Sequence, residues 1–167
     1  MSGPGFTVWV TGADGAARRT LGEEIAARLR ERGLDVDVLD ESVPGVGALV
    51  GEGFERRVAC VAGALARHGV ATVVTLAAPT RAARDGARAE LQRMIEVWVR
   101  GPAAEPPSYE PPDRPEVEVS TTEPAGQGAT RTLRTLEVLR HLPRDERSYS
   151  ESEEREVIRR LKAFGYL

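Results

Sequence analysis

Cysteine is all but missing. The single Cys60 among 167 residues can form neither an internal disulfide nor a cysteine-based zinc site. No apolar run approaches membrane-spanning length. The N-terminus lacks the basic, apolar and small-residue segments of a secretory leader, so a cytoplasmic location is expected. An excess of either charge is also missing. With 23 basic and 26 acidic residues the net charge is −3, which provides no broad surface for nucleic acid or membrane. Histidine is scarce: His68 and His141 each follow an apolar helical stretch and read as helix-end residues, and no metal ligand set is assigned. Lysine is scarce beside arginine, which, with abundant alanine, reflects genome composition rather than function. What is present is a soluble-protein balance of 41% hydrophobic and 29% charged residues, in one domain's length of chain.

The β-branched and aromatic run Phe6 to Thr11 reads as a buried strand, with Trp9 in the core. A glycine-containing loop, Gly12 to Ala17, leads into a helix with Leu21, Ile25 and Leu29 on one face and Gly33 at its end. A strand over Asp35 to Leu39, ending at Asp40, completes a βαβ unit. Glu41 to Gly53 reads as irregular. A helix over Phe54 to His68 is expected to bury Phe54, Val58, Val61 and Leu65. Val70 to Leu76 has the near-continuous apolar and β-branched character of a central parallel strand. Thr80 caps a third helix running to about Arg93, and Ile95 to Val99 is a fourth strand. Six prolines make 101–115 an extended connection without helix. Val117 and Val119 mark a last strand, and Leu133, Leu136 and Leu139 a further helix stopped by Pro143. In the tail, Ser150 with Glu153 forms a capping box, and Val157, Ile158, Leu161 and Phe164 form an apolar stripe that must dock on something. The alternation predicts an α/β fold: a mostly parallel sheet with helices on both faces, plus a C-terminal helix. The expected division is a domain over 1–143 and a helical extension over 144–167.

Between the first strand and helix lies Gly12-Ala13-Asp14-Gly15-Ala16-Ala17-Arg18-Arg19-Thr20, in the setting that a phosphate-binding loop G-x-x-x-x-G-K-[ST] requires. Gly12 matches the first glycine. Ala17 replaces the second and puts a methyl group where backbone amides approach phosphate. Arg18 replaces the lysine with a longer, planar, forked cation. Arg19 replaces the hydroxyl that holds magnesium, setting a cation where a cation must bind. Thr20 has a hydroxyl, but about 100° further around the helix. The plain alternative is an ordinary turn between strand and helix. Arg18 and Arg19 at a helix N-terminus either hold an anion such as sulfate, phosphate or a nucleotide, or lie in solvent.

An ordered series of short segments resembles the adenylylsulfate (APS) kinase family. Gly5 to Gly12 resembles its opening strand and loop, and Val36 to Asp40 the strand before its Asp-Gly-Asp motif. Glu55-Arg56-Arg57-Val58 resembles its Ile-Arg-Arg-Ile/Val element, and Pro79 with Arg81 its Ser-Pro-x-Arg. Tyr109-Glu110-Pro111-Pro112 resembles its late Tyr-Glu-x-Pro segment. The match spans Gly5 to about Leu142 with gaps, and not the tail, whose last residues show a short similarity to some sulfatase ends. The resemblance implies a three-layer P-loop NTPase-like fold and transfer of the ATP γ-phosphoryl group to the 3′-hydroxyl of APS with magnesium. It also places Arg56 and Pro79 in an APS site, though Arg56 reads equally as a solvated arginine.

The chain departs from that pattern in the loop and in the Asp-Gly-Asp element. There Asp40 keeps the first acid, Glu41 and Ser42 replace the rest, and the arginine that follows is absent. It departs again where the family has a long basic lid between the fourth strand and Tyr-Glu-x-Pro, since only Gly101 to Ser108 separates Arg100 from Tyr109. Positioning, charge stabilisation and water exclusion are all affected. The leading expectation is a catalytically impaired pseudoenzyme that acts as a binding, regulatory or assembly module, with no assigned cofactor. The alternative is an APS kinase or related phosphotransferase in which Arg18 replaces the lysine, the candidate catalytic residue Asp40 serves the metal together with Thr20, and ATP and Mg²⁺ are used. Expected partners are a small anion or adenine nucleotide, and a homodimer mate or partner protein through the C-terminal helix.

Overall fold

The computed structural model describes residues 4–145 and 150–167. Five strands, β1 (Thr7–Thr11), β2 (Val36–Leu39), β3 (Ala71–Val74), β4 (Met94–Arg100) and β5 (Val117–Ser120), form one sheet in the order β2-β3-β1-β4-β5. All four pairings are parallel. The helices are α1 (Gly15–Glu31), α2 (Pro44–Gly47), α3 (Phe54–Arg67), α4 (Arg81–Glu90), α5 (Ala125–Val138) and α6 (Glu151–Ala163).

β1 is central and every one of its residues is buried. Because strand side chains alternate, Val8 and Val10 enter one core and Trp9 the other. The first core lies against α1 and α5, through Leu21, Ile25, Leu29, Leu133 and Leu136. The second lies against α3 and α4, through Phe54, Val58, Ala62 and Ala87. Two covered faces give three layers, as the strand pattern requires. Gly22 lets α1 approach the sheet: a β-carbon there would lie 2.3 Å from the Thr75 methyl.

Several expectations need correction. The expected loop to Ala17 ends at Asp14, because α1 begins at Gly15. The segment expected to be irregular contains α2. In α3, Val61 is exposed and Ala59 and Ala62 are buried instead, so the helix is rotated to present its smallest residues to the sheet. The helix expected to reach Arg93 stops at Glu90, since Leu91 is already extended. Ser150 stands at the N-cap of α6 but makes no capping bond, and Glu153 pairs with Arg134 of α5 at 2.9 Å instead. Residues 146–149, expected within the tail, lie outside the described residues. The tail stripe docks on its own chain. Val157 and Leu161 are buried with α6 against α5, while Ile158 and Phe164 are half-buried. Cys60 is exposed on α3. Among the described residues no helix is long and apolar enough to cross a membrane.

His141 stacks on Phe6 at 6.3 Å, and its Nδ1 accepts from Arg93 Nε at 3.1 Å. Burial, then the Arg93 charge, pulls its imidazole down from 6.5 to about 4. The unfolded chain therefore takes up a proton first as pH falls, so stability is intact above 6.5 and is lost between 6.5 and about 4. Denaturation across that range should show a loss of about 1–2 kcal/mol, discounted for partial exposure, that His141→Gln abolishes. Leu161→Ala should cost about 2–4 kcal/mol at neutral pH, by loss of buried volume under α6.

Candidate functional site

In an open parallel sheet, ligand sites gather outside the carboxyl ends of the strands. That edge carries Thr11 and Gly12 after β1, Asp40 after β2, and Thr75 to Ala78 after β3. Gly12 has φ +154°, and a β-carbon there would lie 2.5 Å from the Val99 carbonyl oxygen, so the turn out of β1 admits only glycine.

The loop is short. Asp14 caps α1, its Oδ1 accepting from Ala17 N at 3.0 Å, and Arg18 N donates to the Asp14 carbonyl at 3.0 Å. Those bonds commit the Ala17 and Arg18 amides to the helix. Gly15 and Ala16 hold its first turn, where the helix dipole remains available to an anion. Arg19 and Thr20 are exposed on the helix surface.

The two arginines are thus separated. Arg18 is 5% exposed and turns back under the loop. Its Nη1 donates to the Gly12 carbonyl, and its Nε to the Thr75 carbonyl at 3.4 Å. Burial pulls its guanidinium down from the ordinary value, an effect opposed by Glu41. Thr75 in turn donates its hydroxyl to Asp40 Oδ2 at 2.8 Å, and Ser42 N donates to Asp40 Oδ1 at 2.8 Å. Asp40 is buried, which works against its charged form. The bonds from Ser42 and Thr75, with the Arg19 charge, outweigh this and hold the carboxyl below the usual range. Asp40 is therefore an ionised carboxylate at neutral pH with both oxygens already bonded. Arg18, Thr75 and Asp40 form one buried polar chain beneath the loop.

Arg56 and Pro79 lie apart from this chain. The Arg56 side chain is 71% exposed and pairs with Glu90 at 2.6 Å. Pro79 is exposed, and its carbonyl accepts from Glu110 N at 2.8 Å. That bond belongs to a second cluster, in which the proline-rich strap 101–115 is fastened over the end of β3. Glu110 Oε2 accepts from Arg81 N at 2.8 Å, and the Pro111 carbonyl from Arg81 Nε at 2.8 Å. Arg84, 3% exposed, donates to the Ala78 carbonyl at 2.6 Å and the Glu110 carbonyl at 2.5 Å. It also pairs with Glu96 at 2.8 Å and lies over the Tyr109 ring. Tyr109 is buried, with its hydroxyl 2.9 Å from Thr11 Oγ1. Ala78 has φ +42° immediately before a proline, a conformation costing of order 1–3 kcal/mol that Arg84 holds in place. Arg84, Thr75 and Thr11 are site residues that reading the sequence missed. The available signals were an arginine three residues after Arg81 and a threonine at the end of each of two buried strands.

A family model for adenylylsulphate kinase matches residues 4–111. The chain belongs to the adenylylsulphate kinase family. An adenylyl-sulfate kinase of Synechococcus sp. is 35% identical over 74% of this chain and 89% of its own length. One of Gloeothece citriformis is 31% identical over 85% and 99%. Among solved structures, a hexameric APS kinase from Thiobacillus denitrificans aligns with a TM-score of 0.72 and 26% identity, over 86% of this chain and 31% of that one. The Mycobacterium tuberculosis APS kinase in complex with AMPPNP and APS aligns with a TM-score of 0.68 and 20% identity, over 78% and 96%. The α/β fold expected from the strand and helix pattern, and the P-loop type implied by the family resemblance, is the fold found.

The donor set does not fit the magnesium that the family's chemistry implies. Magnesium takes oxygen ligands in near-octahedral array. Asp40 and Glu41 are the carboxylates at hand; the oxygens of Asp40 are engaged by Thr75 and Ser42, Glu41 faces the Arg18 charge, and the groups around them include two guanidiniums. Among the described residues no group of three or more histidines, cysteines or carboxylates is arranged to hold a metal. The arrangement can stabilise negative charge at the helix N-terminus and beside Arg19. Asp14→Ala should lower stability by about 1 kcal/mol in thermal or chemical denaturation, whereas Asp14→Ser should retain most of it.

Proposed function

We propose that this family member binds an anion or adenine nucleotide without transferring a phosphoryl group efficiently, and acts as a binding, regulatory or assembly module. The observation that carries this reading is the Arg18 side chain. The cation that should reach outward to phosphate is folded inward onto the Gly12 and Thr75 carbonyls. Phosphoryl transfer relies almost wholly on positioned positive charge and bound metal. Here the first is turned away, and Arg19 stands at the position of the metal-binding hydroxyl. The short strap between β4 and β5 also leaves little chain to close over a nucleotide. The Thiobacillus denitrificans neighbour is hexameric, which supports an assembly role.

A second reading, an active adenylylsulfate kinase, is favoured by the adenylyl-sulfate kinases among its relatives and by the structural neighbour in complex with AMPPNP and APS. The retained Asp40 also supports it. In that reading Arg18 leaves the carbonyls when nucleotide arrives.

Coupled assay with ATP, magnesium and APS separates the two, alongside calorimetry with ADP, Mg-ATP and APS. The expected result is no turnover above background. Ala17→Gly/Arg18→Lys/Arg19→Thr together should strengthen Mg-ATP binding at least about tenfold, a gain of about 1.4 kcal/mol. Robust turnover by the unaltered chain would overturn the first reading in favour of the second.

A further inference from the structure

The C-terminal helix and the phosphate loop lie at different parts of the sheet, yet a continuous set of short contacts joins them through the strap. Past the end of α6, the Tyr166 hydroxyl donates to the Arg114 carbonyl at 2.9 Å. From within α6, Arg160 donates to the Pro115 carbonyl at 3.3 Å and pairs with Glu118 of β5 at 3.4 Å. These bonds pin one end of the strap. Its next residue, Glu116, is 2% exposed and accepts from both Arg88 Nη atoms at 2.9 and 3.1 Å and from Glu96 N at 2.8 Å. Glu96 pairs with Arg84, and Arg84 holds the Glu110 carbonyl and the Tyr109 ring. Tyr109 reaches Thr11, the last residue of β1 before Gly12.

Two features make this more than adjacency. Charges buried this deeply are retained only when their partners are in place, so removing one partner costs far more than a surface pair would. At its Arg114–Pro115 end the strap has little else to hold it, since the Arg81 and Arg84 bonds lie further back, at Glu110 to Asp113, and its prolines contribute no amide donors.

We propose that α6 and Tyr166 are positioning elements for the phosphate loop: by clamping the Arg114–Pro115 end of the strap they keep Tyr109 on Thr11, and release of the tail frees the loop. The occupant of the clamp is the chain's own C-terminus, and the loop responds through the strap rather than through the core.

Hydrogen exchange on the full chain tests this. Tyr166→Phe and Arg160→Ala, singly and together, remove the clamp bonds but leave Val157 and Leu161 seated. The diagnostic strap amides are Tyr109, bonded to the Pro106 carbonyl, and Glu110, bonded to that of Pro79; the loop amides are Ala17 and Arg18. In the double variant all four should exchange roughly tenfold faster, while Arg155→Ala, which loses only exposed contacts with the Glu151 carboxylate and carbonyl at 3.3 Å, should leave them unchanged. In a Tyr109→Phe background the clamp variants should still loosen the strap but no longer alter loop exchange. Unchanged strap exchange in the double variant overturns the proposal, as does loop exchange that responds equally with and without the Tyr109 hydroxyl. These readouts are independent of nucleotide binding or turnover.

Discussion

Strand β1 is paired on both edges and covered on both faces, and this fixes the point at which the chain leaves the sheet at Gly12. Its five residues have no freedom to adjust. Thr7 shares a buried hydroxyl contact with Thr72 at 2.9 Å, Val8 and Val10 fill one core, and Trp9 fills the other. A shift of one residue would exchange the two faces and bury neither set correctly. The loop that follows is therefore presented at a fixed position against the ends of β3 and β4, whatever its own sequence. That is why a chain with a substituted loop still assembles the family's sheet. The fold depends on β1, and the few residues after it take the position that β1 gives them.

Within those few residues, electrostatics decides the local structure. A guanidinium at position 18 faces a choice between solvent and the carbonyls beneath the loop. Burial disfavours its charge and the nearby acids Glu41 and Asp40 offset this only in part, while the Gly12 and Thr75 carbonyls accept its N–H groups. The planar fork suits two carbonyl acceptors in a way that a lysine's point charge does not. Asp14 is drawn to the vacant amide donors of α1, which shortens the loop further. Arg18 and Asp14 thus satisfy from within the chain the two kinds of group, carbonyls and amides, that surround a bound anion and its counter-cation in a phosphate loop. The segment resembles a ligand-binding loop that supplies part of its own ligand.

Much of the architecture was legible in the sequence because its causes are local. β-branched runs bounded by glycine located the strands, and the apolar spacing of Leu21, Ile25 and Leu29 located α1. The rotation of α3 was not legible, because hydropathy favours Val61 over Ala62 while close packing on the sheet favours the smaller residue. The failed capping box at Ser150 has a similar origin. Glu153 has a better partner in Arg134, and nothing in the tail's own sequence announces a residue of α5. At the site, substitutions were visible but side-chain directions were not. That Arg18 turns inward and Arg19 outward follows from a helix starting at Gly15, which depends on Asp14 acting as a cap rather than as a loop residue.

The strap shows how a shortened connection can still be structured. The segment 101–115 runs between β4 and β5 without forming a helix or strand. Instead its prolines restrict the unfolded ensemble, so that few bonds suffice to hold it. The bonds that hold it at Glu110 and Pro111 come from arginines at positions 81 and 84, which the helix period sets on nearly the same face of α4, turned toward the strap. Arg84 is the pivotal residue, since it contacts the strained Ala78, the strap carbonyl of Glu110, the Tyr109 ring and the buried Glu96 together. A cation in that position ties β3, β4, α4 and the strap into one unit that ends at Thr11. Rigid closure of this kind holds the geometry at the end of β1 steady, since the strap reaches Thr11 through a side chain that Arg84 keeps in place.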